Sequence, residues 1–257
     1  MTTATRTVPT AERTAQPRRM DPTRRTALTA GVLYLITFVS IPTLVLYAPV
    51  KDHIETFILG AGSDTGVLWG ALSEIIVGIT GIATAVVLYP VTKRVSQTAA
   101  IGLVTARLVE TSLIFVGVIS LLSILTLRNN VAGTTGADAA ALVTTGHSLV
   151  AGYNMTFLLS QSLMPVACDL LLGYLMYRSG LVPRILPIIA FIGAPLLLAS
   201  DIAVFFGAYA QLSPFTGVAA LPVAVFEFSF GVYLIVKGFK PTRLIAPSGT
   251  LEATPAA

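Results

Sequence analysis

Six ionisable side chains lie inside stretches that are otherwise apolar: Glu74, Arg107, Glu110, Asp169, Asp201 and Glu227. Five are acids and one is a base. A charge near a bilayer centre costs about 2.5–3.5 kcal/mol on an insertion scale, so each such group needs a partner, a proton or water. Arg107 and Glu110 stand three apart within "AAIGLVTARLVETSLIFVGVISLLSILTL" (99–127), which puts them on one helix face as an internal ion pair. The plain reading is that this pair lets the helix insert, with Arg107 snorkelling towards the cytoplasm. One pair still leaves four acids. They have three physical exits: protonation, because burial disfavours the carboxylate, a water-filled cavity, or a bound cation. All three require the groups to face protein rather than lipid.

A second constellation lies in "HSLVAGYNMTFLLSQSLMPVACDLLLGYLMYRSG", where Asn154, Gln161 and Asp169 fall close to one helical stripe and Pro165 marks a kink that frees a backbone carbonyl. One reading is the polar wall of a cavity. The plainer one is interhelical hydrogen bonding, at about 0.6 kcal/mol per bond. Cys168 is the sole cysteine, so no disulfide forms within the chain, and a small packed residue is the simple account of it.

The elements that must position these groups follow from composition. Charged residues are 11% of the chain and hydrophobic ones 54%, with mean hydropathy +0.83. A soluble domain would carry roughly a quarter charged residues. Lipid must therefore be part of the solvent. Six segments are long enough to cross about 30 Å of hydrocarbon: 27–50, 65–92, 99–127, 148–177, 185–209 and 216–236. The first is too long for the apolar core of a signal peptide and stays in the protein. The fold class is an all-α membrane protein, a bundle of six transmembrane helices.

Lysine and arginine counts set the orientation. Arg6, Arg13, Arg18, Arg19, Arg24, Arg25, Lys93, Arg94, Arg178, Arg184, Lys237, Lys240 and Arg243 fall on one side, and only Lys51 and Arg128 on the other. Thirteen against two places both termini in the cytoplasm. A rise of about 1.5 Å per residue then sorts the buried charges by depth. Arg107 and Asp169 belong to the inner half, Glu110 and Glu227 to the midplane, and Glu74 and Asp201 to the outer half. Arg107 is thus within reach of Asp169, Glu110 or Glu227 across helices. Arg107, Glu110, Asp169, Glu227, Gln161 and Asn154 form the candidate substrate or ion site, with Glu74 and Asp201 as secondary outer candidates.

The rest of the chain is organised around this bundle. Residues 1–26 are rich in Thr, Pro and Arg and read as a disordered basic cytoplasmic tail, residues 27–240 as the membrane domain, and 241–257 as a flexible cytoplasmic tail. The tail arginines suit contact with anionic lipid headgroups, although a topogenic role is sufficient to explain them. "RNNVAGTTGADAA" (128–140) is a linker by composition. Gly66 and Gly70 form a small-xxx-small pair for close helix approach. Tyr89, Tyr174, Tyr177 and Tyr233 sit at cytoplasmic ends as an interfacial belt. A bundle of six spans is small, and homo-oligomerisation suits it.

Several chemistries are excluded or unsupported. The pI near 9.4 comes from basic residues at segment ends rather than on one folded face, so nucleic acid is not the expected partner; the lipid bilayer is. His53 and His147 are too few for several haems, and no HExxH, GxSxG or P-loop motif occurs. Asp169 and Asp201 lack the Gly-x-Gly-Asp pattern of intramembrane aspartyl proteases. No cofactor, metal or catalytic residue is expected.

The stretch "GYLMYRSGLVPRILPIIAFIGA" (173–194), the "ARLVE" of the third span and the ending "FEFSFGVYLIVKGFK" (226–240) resemble the bacterial membrane proteins grouped as domain of unknown function 4386. The likeness covers nearly all of 27–240, and the hairpin around "YRSGLVPRIL" is its most specific part. It implies a multi-pass bacterial inner-membrane protein and no activity. The family's recurring charged positions would fall on Arg107, Glu110 and Glu227. Two functions compete: a carrier with a charged midplane site, which a 3+3 inverted repeat would place at the repeat interface, and a non-transporting protein of assembly or sensing whose charges serve packing. Acids gathered at one hydrated cavity would favour the first; acids dispersed and locally paired would favour the second.

Overall fold

A computed structural model describes residues 21–130 and 137–242. Among these residues the chain is helical throughout, with no strand. Six helices are long and apolar enough to span a membrane: Pro22–Leu46, Thr65–Thr92, Gln97–Asn130, Asp138–Ser179, Ile185–Phe205 and Pro214–Val236. Helices are what apolar runs must form in lipid, because no water is available there to satisfy exposed backbone groups. Local signals agree with the boundaries. Pro22 and Pro214 occupy first turns, where the missing N–H costs nothing, and the Ser213 hydroxyl accepts the Thr216 N–H at 3.3 Å as an N-cap.

Two span starts differ most from the sequence expectation. The first span begins at Pro22 rather than at 27, so the end of the expected tail is helical. The fourth extends back past 148 to Ala137, because its Ala- and Thr-rich start packs against the short helix Ile54–Ile58. The tail arginines Arg6, Arg13, Arg18 and Arg19, the middle of the 128–140 linker and the final residues with Arg243 lie outside the described residues.

The six spans form a closed ring in chain order: each packs on the next, and the sixth packs on the first. Gly31 and Gly231 permit that closure. A Cβ on Gly31 would lie 2.7 Å from the Gly231 carbonyl oxygen, so a side chain there would push the two helices apart. Arg24 latches the same seam, donating to the carbonyls of Leu234 at 2.8 Å and Ile235 at 2.5 Å, which are orphan acceptors at a helix end. An even number of spans leaves both described chain ends on one side, called here the termini side.

The two sides of the ring are packed differently. A large apolar core, including Leu88, Leu103, Leu172, Leu175, Met176, Phe230 and Leu234, fills the termini side. The far side is covered in part by the short helices Ala48–Asp52 and Ile54–Ile58, whose Val50, Ile54, Phe57 and Ile58 pack on Leu121, Ile124 and Tyr153. Gly66 and Gly70 serve this cover. Their missing side chains admit the Leu46 carbonyl and the Tyr47 ring, the latter 2.3 Å from where a Gly70 Cβ would stand.

Two spans are interrupted. The first passes into a 3-10 turn at Phe38–Ser40 and restarts after Pro42, which has no N–H to give and disfavours helix in the residue before it. The fourth runs through a π-helical turn at Leu158–Leu163 before Pro165 opens the resumed α-helix. The expected Pro165 feature is therefore a register change just ahead of the proline, in which the ring is fitted into a first turn.

Candidate functional site

Both interruptions border one cavity of about 200 Å³ in the ring interior, lined among others by Thr37, Phe38, Ser40, Ile41, Gln161 and Pro165. The second, third and sixth spans add Val77, Arg107, Glu110, Ala224 and Glu227. Ile41 is 58% exposed, so the cavity reaches the protein surface at the break in the first span.

Arg107 lies at the cavity's termini-side end, only 5% exposed. Its Nη1 donates to both Glu110 carboxylate oxygens at 3.0 Å. Its Nη2 donates to Glu227 Oε1 at 3.0 Å and to the Tyr34 hydroxyl at 3.3 Å. The helical spacing of three residues brings Glu110 beneath Arg107. Glu227 comes from the sixth span, so this second bond crosses the ring. Arg107 is thus turned inward, and it forms the ion pair with Glu110 that the spacing of three suggests. Cys168 Sγ donates to Glu110 Oε2 at 3.5 Å.

Asp169 follows Cys168 and is 0% exposed. Neither of its oxygens has a hydrogen-bond partner among the described residues, although it lies within electrostatic reach of Arg107, Glu110 and Glu227. Of the three partners open to Arg107, Glu110 and Glu227 take it and Asp169 does not. Both terminal nitrogens of the guanidinium are engaged, Nη1 by Glu110 and Nη2 by Glu227 and Tyr34.

Glu74 and Asp201 stand apart from this cluster, and neighbouring residues of the π turn serve them. Gln161 Nε2 donates to Glu74 Oε1 at 2.8 Å, and the adjacent Ser162 hydroxyl donates to Asp201 Oδ1 at 2.5 Å. Glu74 also accepts from the hydroxyls of Tyr153 at 2.8 Å and Tyr47 at 3.1 Å. Beyond it, the Lys51 ammonium lies 5.2 Å from the centroid of the Tyr153 ring. Burial there pushes the Lys51 amine below the usual lysine range, with Asp52 and Glu74 opposing the shift.

The expected stripe of Asn154, Gln161 and Asp169 does not act as one wall. Its members meet different groups: Gln161 reaches Glu74 and lines the cavity, Asp169 joins the charged layer, and Asn154 Oδ1 is buried without a partner among the described residues. Tyr34, Tyr47, Tyr153 and Ser162 are site residues that the sequence reading passed over. Their signal was position: tyrosines well inside apolar runs bury a hydroxyl that must find a partner. Among the described residues no group of three or more His, Cys, Asp and Glu side chains is gathered to hold a metal ion.

Fold and site together define a multi-pass α-helical membrane protein with an ionic cluster buried in its interior. A family model, described as domain of unknown function (DUF4386), matches residues 29–238, and the chain belongs to that family. Comparison with curated proteins and with solved structures gave no match. All three residues on which the family's charged positions would fall, Arg107, Glu110 and Glu227, meet in the hydrogen-bonded core of the site.

Proposed function

We propose that the protein is a proton-coupled carrier of a small solute in a bacterial inner membrane, with both termini in the cytoplasm. The observation that carries this reading is the cavity that Arg107, Glu110, Gln161 and Glu227 line between two interrupted helices. Interrupted spans around a polar midplane cavity are where transport sites are built, because unwound backbone is tolerated only inside protein or beside water. The cluster also joins the third span to the sixth, corresponding members of two three-span halves.

Charge balance supplies the coupling. One guanidinium stands among Glu110, Glu227 and Asp169, and arginine does not give up its proton. The layer therefore changes charge only by loading or unloading protons on carboxyls. With Arg107 on Glu110 and Glu227, an unpartnered Asp169 carries a proton. A solute that competes for Glu227 frees Nη2 to turn towards Asp169, whose proton then leaves. The termini-side core closes the cavity in this state and must loosen in the other.

Glu74 and Asp201 support the second reading for their own positions. Each is held by local donors, as residues that serve helix packing would be.

Alternating exposure tests the carrier. On a Cys168→Ser background in oriented vesicles, an impermeant maleimide should label Ala224→Cys and the loop position Ser63→Cys from outside. Leu172→Cys, within the closed core, should become reactive from the cytoplasmic side at one end of the range pH 5–9, as Ala224→Cys becomes protected. A Leu172→Cys that stays inert and an Ala224→Cys rate that stays constant across that range would overturn the carrier. Labelling of Ser63→Cys from the cytoplasmic side alone would reverse the orientation.

A further inference from the structure

The polar atoms of the cavity are unbalanced in kind. Most donors are committed. Arg107 directs Nη1 to the Glu110 carboxylate and Nη2 to Glu227 and Tyr34. Thr37 donates its hydroxyl proton to the Tyr34 carbonyl at 2.6 Å, and Ser40 donates to the Thr37 carbonyl at 3.1 Å. Gln161 directs one of its two amide N–H groups to Glu74. Acceptors remain. Glu227 bonds Arg107 through Oε1, which leaves Oε2 without a protein partner, and the Gln161 carbonyl and the lone pairs of both hydroxyls are likewise unused. The charged groups on the wall sum to one positive and two negative, with Asp169 behind them.

An anion would meet two carboxylates on a wall of net negative charge. A neutral polyol would leave the second Glu227 oxygen without a counter-charge. A cation meets the opposite conditions: a carboxylate oxygen to pair with and further acceptors around it. The remaining wall is apolar, formed by Phe38, Ile41, Val77, Pro165 and Ala224, and the Phe38 ring offers a face suited to a cation. A bare metal ion would leave that apolar surface unused. From this imbalance we infer that the solute is a small organic cation of the alkylammonium type, its nitrogen at Glu227 Oε2 and its carbon against Phe38 and Ala224.

The assignment rests on the carrier reading, and it is tested by binding alone so that the two fail separately. Purified protein in detergent is melted with increasing methylammonium or tetramethylammonium chloride, against sodium chloride at equal ionic strength, sodium acetate and glycerol. Ligand that binds only the folded state raises the melting temperature with concentration. The expected result is a rise of a few degrees with the alkylammonium salts and none with the others. Ala224→Leu, which fills the cavity and leaves the charges intact, should abolish the rise, as should Glu227→Gln. A rise with acetate or glycerol in place of the alkylammonium salts would overturn the cation, and so would an undiminished alkylammonium effect in Ala224→Leu. Silence of every probe on the wild type would overturn it as well. None of these results bears on whether Leu172→Cys and Ala224→Cys exchange exposure.

Discussion

Glu74 and the Arg107 layer are both buried charge in the same ring, and they are satisfied in opposite ways. Glu74 is one carboxylate with three neutral donors, Tyr47 beyond the first span and Tyr153 and Gln161 in the fourth. Each donor has one good position, and the arrangement has one low-energy state. The Arg107 layer is one cation shared among acids. Its guanidinium is bonded to two carboxylates while a third, Asp169, waits without a bond. Exchanging one carboxylate for another costs little when all are chemically alike. Neutral donors fix a charge; a shared counter-ion lets it change partners.

The comparison is broken most severely at Arg107. Arg107→Ala strips the only counter-charge from Glu110 and Glu227 at once and should cost about 3–5 kcal/mol, the range for a broken buried ion pair. Thermal melting in detergent should show this loss to exceed that of Glu110→Gln. Adding Asp169→Asn should recover part of it, because Asp169 no longer competes with Glu110 and Glu227 for the protons that must replace the lost guanidinium. An Arg107→Ala protein that melts like wild type would mean that the layer holds nothing together.

A smaller loss is expected on the other side of the comparison. Tyr153→Phe removes one of three donors to Glu74 and should cost about 1–2 kcal/mol, above the ~0.6 kcal/mol average for bonds inside membranes because the acceptor is charged. Its melting curve should not shift with pH differently from that of the wild type, since the remaining two donors keep Glu74 in place. A new pH dependence between 5 and 8 would show that Glu74 titrates, and the contrast between the two regions would disappear.

The smallest effect on stability belongs to Asp169. Asp169→Asn keeps the shape and removes a carboxyl that makes no bond, so the melting temperature should hold or rise. Infrared difference spectra should reveal the change instead, as loss of a protonated-carboxyl band present in wild type at pH 7. A band that survives in Asp169→Asn and vanishes in Glu110→Gln would move the stored proton to Glu110.

The six spans and the existence of a charged layer were legible because hydropathy and depth are properties of a single helix. Arg107 with Glu110 was legible for the same reason, being a spacing along one turn. What a sequence does not carry is rotation. The π turn at Leu158–Leu163 changes the phase of the fourth span, so Gln161 and Asp169, placed on one stripe by counting, part company. The first span showed Pro42 plainly, but that its break would border the same cavity as Gln161 required the ring. Tyr34, which steadies Arg107 from the first span, depends on the closure of that ring as well.

That closure sets a schedule for biogenesis. Arg24 donates to carbonyls some 210 residues later in the chain, and Gly31 rests against Gly231. A ribosome adds about 5–20 residues per second, so the first helix, already beside the second, waits roughly 10–40 s before its other neighbour, the sixth, is made. During that time Arg24 lacks the carbonyls it holds in the ring, and the Gly31 face is open to any passing helix. The last helix to be synthesised is therefore the one that commits the ring, and a chain truncated before Pro214 would leave its first helix available to the wrong partner.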